Sequence, residues 1–130
     1  DSRSKVIYKI KINKNIKIIK KKIFIKLKSD EGSPDGMTLD NKKNLWVCHF
    51  NGACISVFDK KGTKIHKINF PAKNITNCTF GGKNNKELFV SSATKSMLRK
   101  DYKEYRYSGS LFSIKTNMSG KLSKSYKVKL

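Results

Sequence analysis

Apolar and polar residues alternate over 6–12 (VIYKIKI) and again over 16–27 (IKIIKKKIFIKL), where isoleucines take one phase and lysines the other. A period of two marks a half-buried β-strand. NKN at 13–15 supplies a turn between these runs. SDEGSPDG (29–36) reads as a loop, MTLD (37–40) as a short strand and NKKN as a turn. LWVCHF (45–50) is apolar enough to be buried, NGA turns, and CISVFD (54–59), KKGT and KIHKINF (64–70) complete four strand candidates in a row. CTF (78–80), the turn GGKNNK, ELFVSSA (87–93), a polar loop at 94–108, SLFSIKT (110–116), the turn NMSGK and SYKVKL (125–130) follow. No stripe of period 3.6 and helical length occurs, and the expected class is all-β.

The strands repeat. Leu45-Trp46-Val47 aligns with Leu88-Phe89-Val90 at an offset of 43 residues, which sets Ser33 on Thr76, Asp35 on Cys78 and Met37 on Phe80. CISVFDKKGTKI recurs as SLFSIKTNMSGKL beyond the 94–108 insertion, and KVIYKIKINKNIKI opens the chain in the same style. Four strands per 40–45 residues is the spacing of a β-propeller blade. The expected architecture is a partial β-propeller of about two and a half four-stranded blades. Residues 1–28 would end one blade, 33–70 would form the next, and 76–130 a last blade with 94–108 inserted. A blade buries its two faces only against neighbours. The chain therefore reads as the C-terminal part of a longer one, with the missing blades on its N-terminal side.

Charge changes this picture little. The formal net charge is +21, from 30 basic and 9 acidic residues. Nearly all the cations are Lys, and only Arg3, Arg99 and Arg106 are Arg. Readers of nucleic acid lean on Arg for bidentate contacts. Scattered lysines on the outer faces of strands are cheap to solvate. Both a coding bias toward Lys, Asn and Ile and a basic binding surface are consistent with this pattern; nucleic acid is the disfavoured partner. Cys48, Cys54 and Cys78 are an odd number with no C-x-x-C spacing, which argues against a disulfide framework or a structural zinc site and for reduced thiols in a cytoplasmic protein. No apolar run of about 18 residues suits a membrane helix, so no membrane partner is expected.

SPDGMTLDNKKNLWVCHFNGACISVFDKKGTKI, TNCTFGGKNNKELFVSSA and GSLFSIKT together resemble the C-terminal half of the SMP-30/gluconolactonase/regucalcin family, most strongly over 33–93. The resemblance implies a six-bladed propeller holding one divalent cation in its central channel, Ca2+ first and Zn2+, Mn2+ or Mg2+ as alternatives. It also implies hydrolysis of sugar lactones. In that family the Asp of Pro-Asp-Gly is a metal ligand with an assigned base role, and it maps onto Asp35. The family's other protein ligands and its substrate-contacting residues have no counterpart here. The remaining blades are then the implied protein partner and a sugar lactone the implied substrate.

Read without that resemblance, Asp35 is either a site carboxylate or a turn cap; Pro34 sets the preceding φ and Gly36 allows a tight turn. One carboxylate is too few for a hard cation that takes six to eight oxygens. Cys78, at Asp35's place in the repeat, should face the channel as pocket wall or lie buried as a small apolar side chain. Asn51, in the hairpin signal Asn51-Gly52, should border the channel mouth as a second pocket candidate, or be a plain turn. Strict alternation puts Trp46, Cys48 and Phe50 on one face and Leu45, Val47 and His49 on the other. His49 is then a metal ligand or a buried, hydrogen-bonded side chain, and His66 a surface one. Gly81-Gly82 suits a close turn or bulge. Arg99, Tyr102, Tyr105, Arg106 and Tyr107 could stack nucleic acid or belong to a solvated loop. The function expected is metal-dependent lactone hydrolysis; a non-catalytic calcium-binding regulatory propeller and a basic nucleic-acid-binding β domain are the alternatives.

Overall fold

A computed structural model describes residues 1–121. The strand candidate at 125–130 lies outside the described residues. Strands β1 (Val6–Ile12) and β2 (Ile18–Lys26) form an antiparallel pair. Strands β3 (Ser33–Leu39), β4 (Leu45–Phe50), β5 (Cys54–Phe58) and β6 (Lys64–Asn69) form a four-stranded antiparallel sheet in sequence order. Strands β7 (Asn74–Gly81), β8 (Glu87–Ala93) and β9 (Leu111–Lys115) form a third sheet, also in order. One short helix, α1 (Asp101–Glu104), interrupts the 94–108 loop. This is an all-β partial propeller, with the meandering sheets packed face against face.

Local chemistry places the turns. Asp59 accepts the amides of Lys61 and Thr63 at 2.8 and 2.9 Å, and Gly62 takes a φ of 92° that an L-residue would resist. That hydrogen-bonding acceptor role holds the Asp59 carboxyl below the usual carboxylate range.

The central sheet is buried on both faces. Trp46, Cys48, Ile55 and Val57 pack against Ile75, Cys78, Leu88 and Val90 of the third sheet. Val47 and Phe58, from the opposite face, pack against Ile7, Ile25 and Leu27 of the first. Double burial explains why β4 and β5 read as continuous apolar runs rather than alternating ones. The outer hairpin β1–β2 alternates because only its base is covered; Ile10, Ile12, Ile18 and Ile23 stand exposed. At the far end of β4, the fully buried Asp40 accepts bonds from the Asn44 amide, the Asn44 side chain and the Trp46 indole N–H. The indole in turn meets Phe80 edge to face at 5.2 Å.

Two strands begin earlier than the apolar pattern suggests. Residues 33–36 belong to β3 rather than to a loop, and β7 starts at Asn74 rather than Cys78. Both are edge strands with a register shift near the start, after Pro34 in β3 and after Ile75 in β7. A bulge breaks the period of two, and an edge strand tolerates Pro, so neither stretch looks like a strand in sequence.

His49 lies fully buried on the Leu45–Val47 face, as alternation places it. Its Nδ1–H donates to the Glu31 carbonyl at 2.6 Å, which leaves Nε2 as the acceptor nitrogen of a neutral ring. Desolvation by burial pushes the His49 pKa down, although the Glu31 carbonyl bond works in the other direction. An unfolded His titrates near about 6.5. The unfolded chain thus binds a proton that the folded chain refuses. The stability from this residue is fully present above that pH and is lost as pH falls toward the lower folded value. The midpoint of urea unfolding should accordingly be lower at about pH 5.5 than at about pH 7.5, with the drop flattened in His49→Asn. A wild-type midpoint that stays level across that interval counts against a neutral buried imidazole.

Candidate functional site

The inner edge of the molecule is made by β3 and β7, which lie side by side. They approach so closely that a Cβ added at Gly36 would stand 2.6 Å from the Asn77 Cα. Gly36 lies outside the left-handed region. Glycine is needed there for close approach between two strands, not for the tight turn expected from Pro34-Asp35-Gly36.

Asp35 sits in the bulge that this contact shapes, at the start of β3. It is exposed, yet partial burial of its carboxyl raises the pKa above the ordinary carboxylate value. The Gly36 backbone works in the other direction. The result is a carboxylate that is reachable from solvent and more basic than a typical Asp.

Behind this bulge lie two buried cysteines. Cys48, on β4 between the partners of Pro34 and Met37, is fully buried. The neighbouring Cys78 thiol, burial and the nearby Asp35 charge push the Cys48 thiol far up. The Cys78 Sγ also lies 3.9 Å from the Trp46 carbonyl. Cys78 is 4% exposed and belongs to the core between the sheets.

The register also corrects the repeat. Val47 pairs with Met37, and its counterpart Val90 pairs with Cys78. Cys78 is therefore the counterpart of Met37, and Thr76, in the β7 bulge, that of Asp35. The offset between the inner strands is two residues less than that between β4 and β8. A single offset read from the β4 and β8 motifs could not show this, because the loops between the paired strands differ in length.

Asn51 lies in the β4–β5 turn with a φ of 60°. Ser33 pairs with Phe50, so this turn stands at the same end of the sheets as the start of β3 and Asp35. Its N–H donates to the Asn74 Oδ1 at 3.0 Å. Asn74 carries no signal in the sequence. It is 2% exposed, and its Nδ2 donates to Ala93 O at 3.3 Å and Lys95 O at 2.7 Å. Its partners lie 19 to 23 residues away in the chain, beyond any local motif.

The 94–108 loop occupies this same end, since it leaves β8 at Ala93, the pairing partner of Asn74. It is partly structured: Asp101, 7% exposed, pairs with Lys73 at 2.6 Å and accepts the Leu98 amide at 2.7 Å. The Lys73 contact is the main reason the Asp101 carboxyl is held below the usual range. Tyr102 and Tyr107 are exposed, as is His66 on the outer strand β6. Gly82 takes a φ of 68° at the close turn after β7. Among the described residues no three His, Cys, Asp or Glu side chains gather where they could hold a metal ion.

Residues 1–94 match the model of the SMP-30/Gluconolactonase/LRE-like region. Regucalcin of Danio rerio is 42% identical over 69 residues, which are 52% of this chain and 23% of the relative. Pentonolactonase XacC of Haloferax volcanii is 31% identical over 70 residues, 54% of this chain and 24% of that protein. The crystal structure of a calcium-binding protein, regucalcin, from Agrobacterium tumefaciens superposes with a TM-score of 0.88 at 19% identity, covering 98% of this chain and 44% of that one. The chain thus spans less than half the length of the relatives it matches. With most of its length matched by that family and its sheets superposing on a regucalcin, this chain belongs to the SMP-30/gluconolactonase/LRE-like family.

Proposed function

We propose that this chain forms part of a metal-dependent sugar-lactone hydrolase in which Asp35 is both a cation ligand and the proton acceptor. The observation that carries the reading is the Asp35 carboxylate itself, held at the inner edge by the β3 bulge and solvent-accessible. The pentonolactonase and regucalcin relatives support it.

A carboxylate oxygen suits a hard divalent cation such as Ca2+ in kind, but Asp35 can be only one ligand of the six to eight such an ion takes. The other oxygens would come from blades that this chain does not contain. When bound, such an ion supplies Lewis-acid polarisation of the lactone carbonyl and makes water more acidic. Asp35, which solvent reaches, takes the proton of the attacking water. The water oxygen bonds to the carbonyl carbon, the ring ester C–O bond breaks, and the leaving ring oxygen takes up a proton. The product is an open-chain hydroxy acid. In the full-length protein, opening of glucono-δ-lactone should require added Ca2+, Zn2+ or Mn2+ and stop with chelator. Turnover unchanged by chelation refutes the metal dependence.

The regucalcin relatives favour a second reading, in which the same carboxylate binds calcium without turnover. Cation binding by calorimetry together with no lactone opening under any of these metals would select it.

A further inference from the structure

We infer that Asn74 is a positioning residue that sets the mouth of the site by holding two of its rim segments at once. The inference rests on the hydrolase reading above and adds to it a residue that governs substrate affinity.

One buried side chain uses both its oxygen and its nitrogen here. The Oδ1 accepts the Asn51 N–H, and the Nδ2 donates to the Ala93 and Lys95 carbonyls. Three segments from two sheets thereby meet on the first residue of β7: the β4–β5 turn, the end of β8, and the start of the 94–108 loop. The preceding residue completes the attachment. The Lys73 amide donates to Ser108 Oγ at 3.1 Å, its carbonyl accepts the Ala53 N–H at 2.9 Å, and its Nζ pairs with Asp101. The Tyr107 amide donates to the Pro71 carbonyl at 3.2 Å. The loop is therefore pinned at its start, its middle and its end to the segment that leads into the inner strand. All these anchors lie at the end of the sheets where β3 starts and Asp35 sits.

A short carboxamide meets all three bonds, with its oxygen as acceptor and its NH2 as double donor. Asp keeps the acceptor for Asn51 but loses both donors and turns a buried negative charge toward two carbonyl oxygens. Leu or Ala leaves the Asn51 amide and the Lys95 carbonyl without a partner in a buried place. Asn51 takes a φ of 60° and Ala53 one of 50°, so this turn depends on outside bonds to keep its shape. Rim groups that move away from the substrate weaken its binding in ground and transition state alike.

The test uses the full-length protein with Asn74→Asp, Asn74→Ala and, in case the buried charge of the first prevents folding, Asn74→Ser. At a temperature where each is folded, KM for the lactone should rise about tenfold with kcat within about twofold, since binding rather than chemistry is disturbed. Amide hydrogen exchange should quicken over 94–108 in Asn74→Asp while the Asn51 amide stays protected. In Asn74→Ala both should quicken. A merely structural residue would lower Tm and leave KM untouched. Unchanged KM, or exchange unchanged in both segments, overturns the inference. If the wild type opens no lactone, the hydrolase reading falls by itself, and the exchange pattern alone decides whether Asn74 positions the rim.

Discussion

Asp35→Asn in the full-length protein should lower kcat for lactone opening by about 10³-fold, within the range a lost general base produces, and should remove tight cation binding. The same substitution should leave Tm in metal-free buffer equal to or above that of the wild type. The reason is the sign of the Asp35 shift. Partial burial raises its pKa, so folding disfavours the ionised form, and at neutral pH the charge costs stability rather than adding it. Asn keeps the size and discards that charge. Calcium should then raise the Tm of the wild type, because a ligand that binds only the folded state stabilises it, and should not move the variant. An Asp35→Asn protein that still hydrolyses lactones, or still gains Tm with calcium, removes Asp35 from the site.

Gly36→Ala should be nearly as damaging through a different route. The new methyl would stand 2.6 Å from a backbone carbon of β7, an atom that cannot swing away as a side chain could. β3 and β7 must part, at a cost of about 3 kcal/mol, the upper part of the usual range for overpacking. Parting them also shifts Asp35, which sits one residue away in the bulge. Both Tm and kcat/KM should fall, in contrast to Asp35→Asn, where only activity does. An alanine variant with wild-type Tm would mean that the inner strands are not in contact in solution.

Much of the fold was legible because strand burial leaves a period. Trp46 and Cys48 on one side, Leu45, Val47 and His49 on the other, came from alternation alone, and the sheets bury those two sets against different neighbours. The hairpins followed from Asn51-Gly52 and from the KKGT turn. The starts of β3 and β7 were not legible, because a bulge cancels the period where it occurs. The repeat needs the loops as well: one offset cannot describe two strand pairs whose connecting loops differ in length, so an offset taken from β4 and β8 sets Cys78 on Asp35, while the ladder makes it Met37's counterpart. Asn74 carried no signal, since nothing near it in sequence touches its side chain.

Taken by themselves, the residues determined the all-β class, the stacking of sheets, and Asp35 as the carboxylate most marked by its flanks. These are local or periodic properties, written in the neighbours of each residue. Only the tertiary structure decided that Gly36 serves a contact between sheets, that Cys78 faces the core, and that Asn74 ties Asn51 to the loop after β8. Each depends on which strands lie side by side, and that is settled by packing across distances in the chain that no pattern of adjacent residues records.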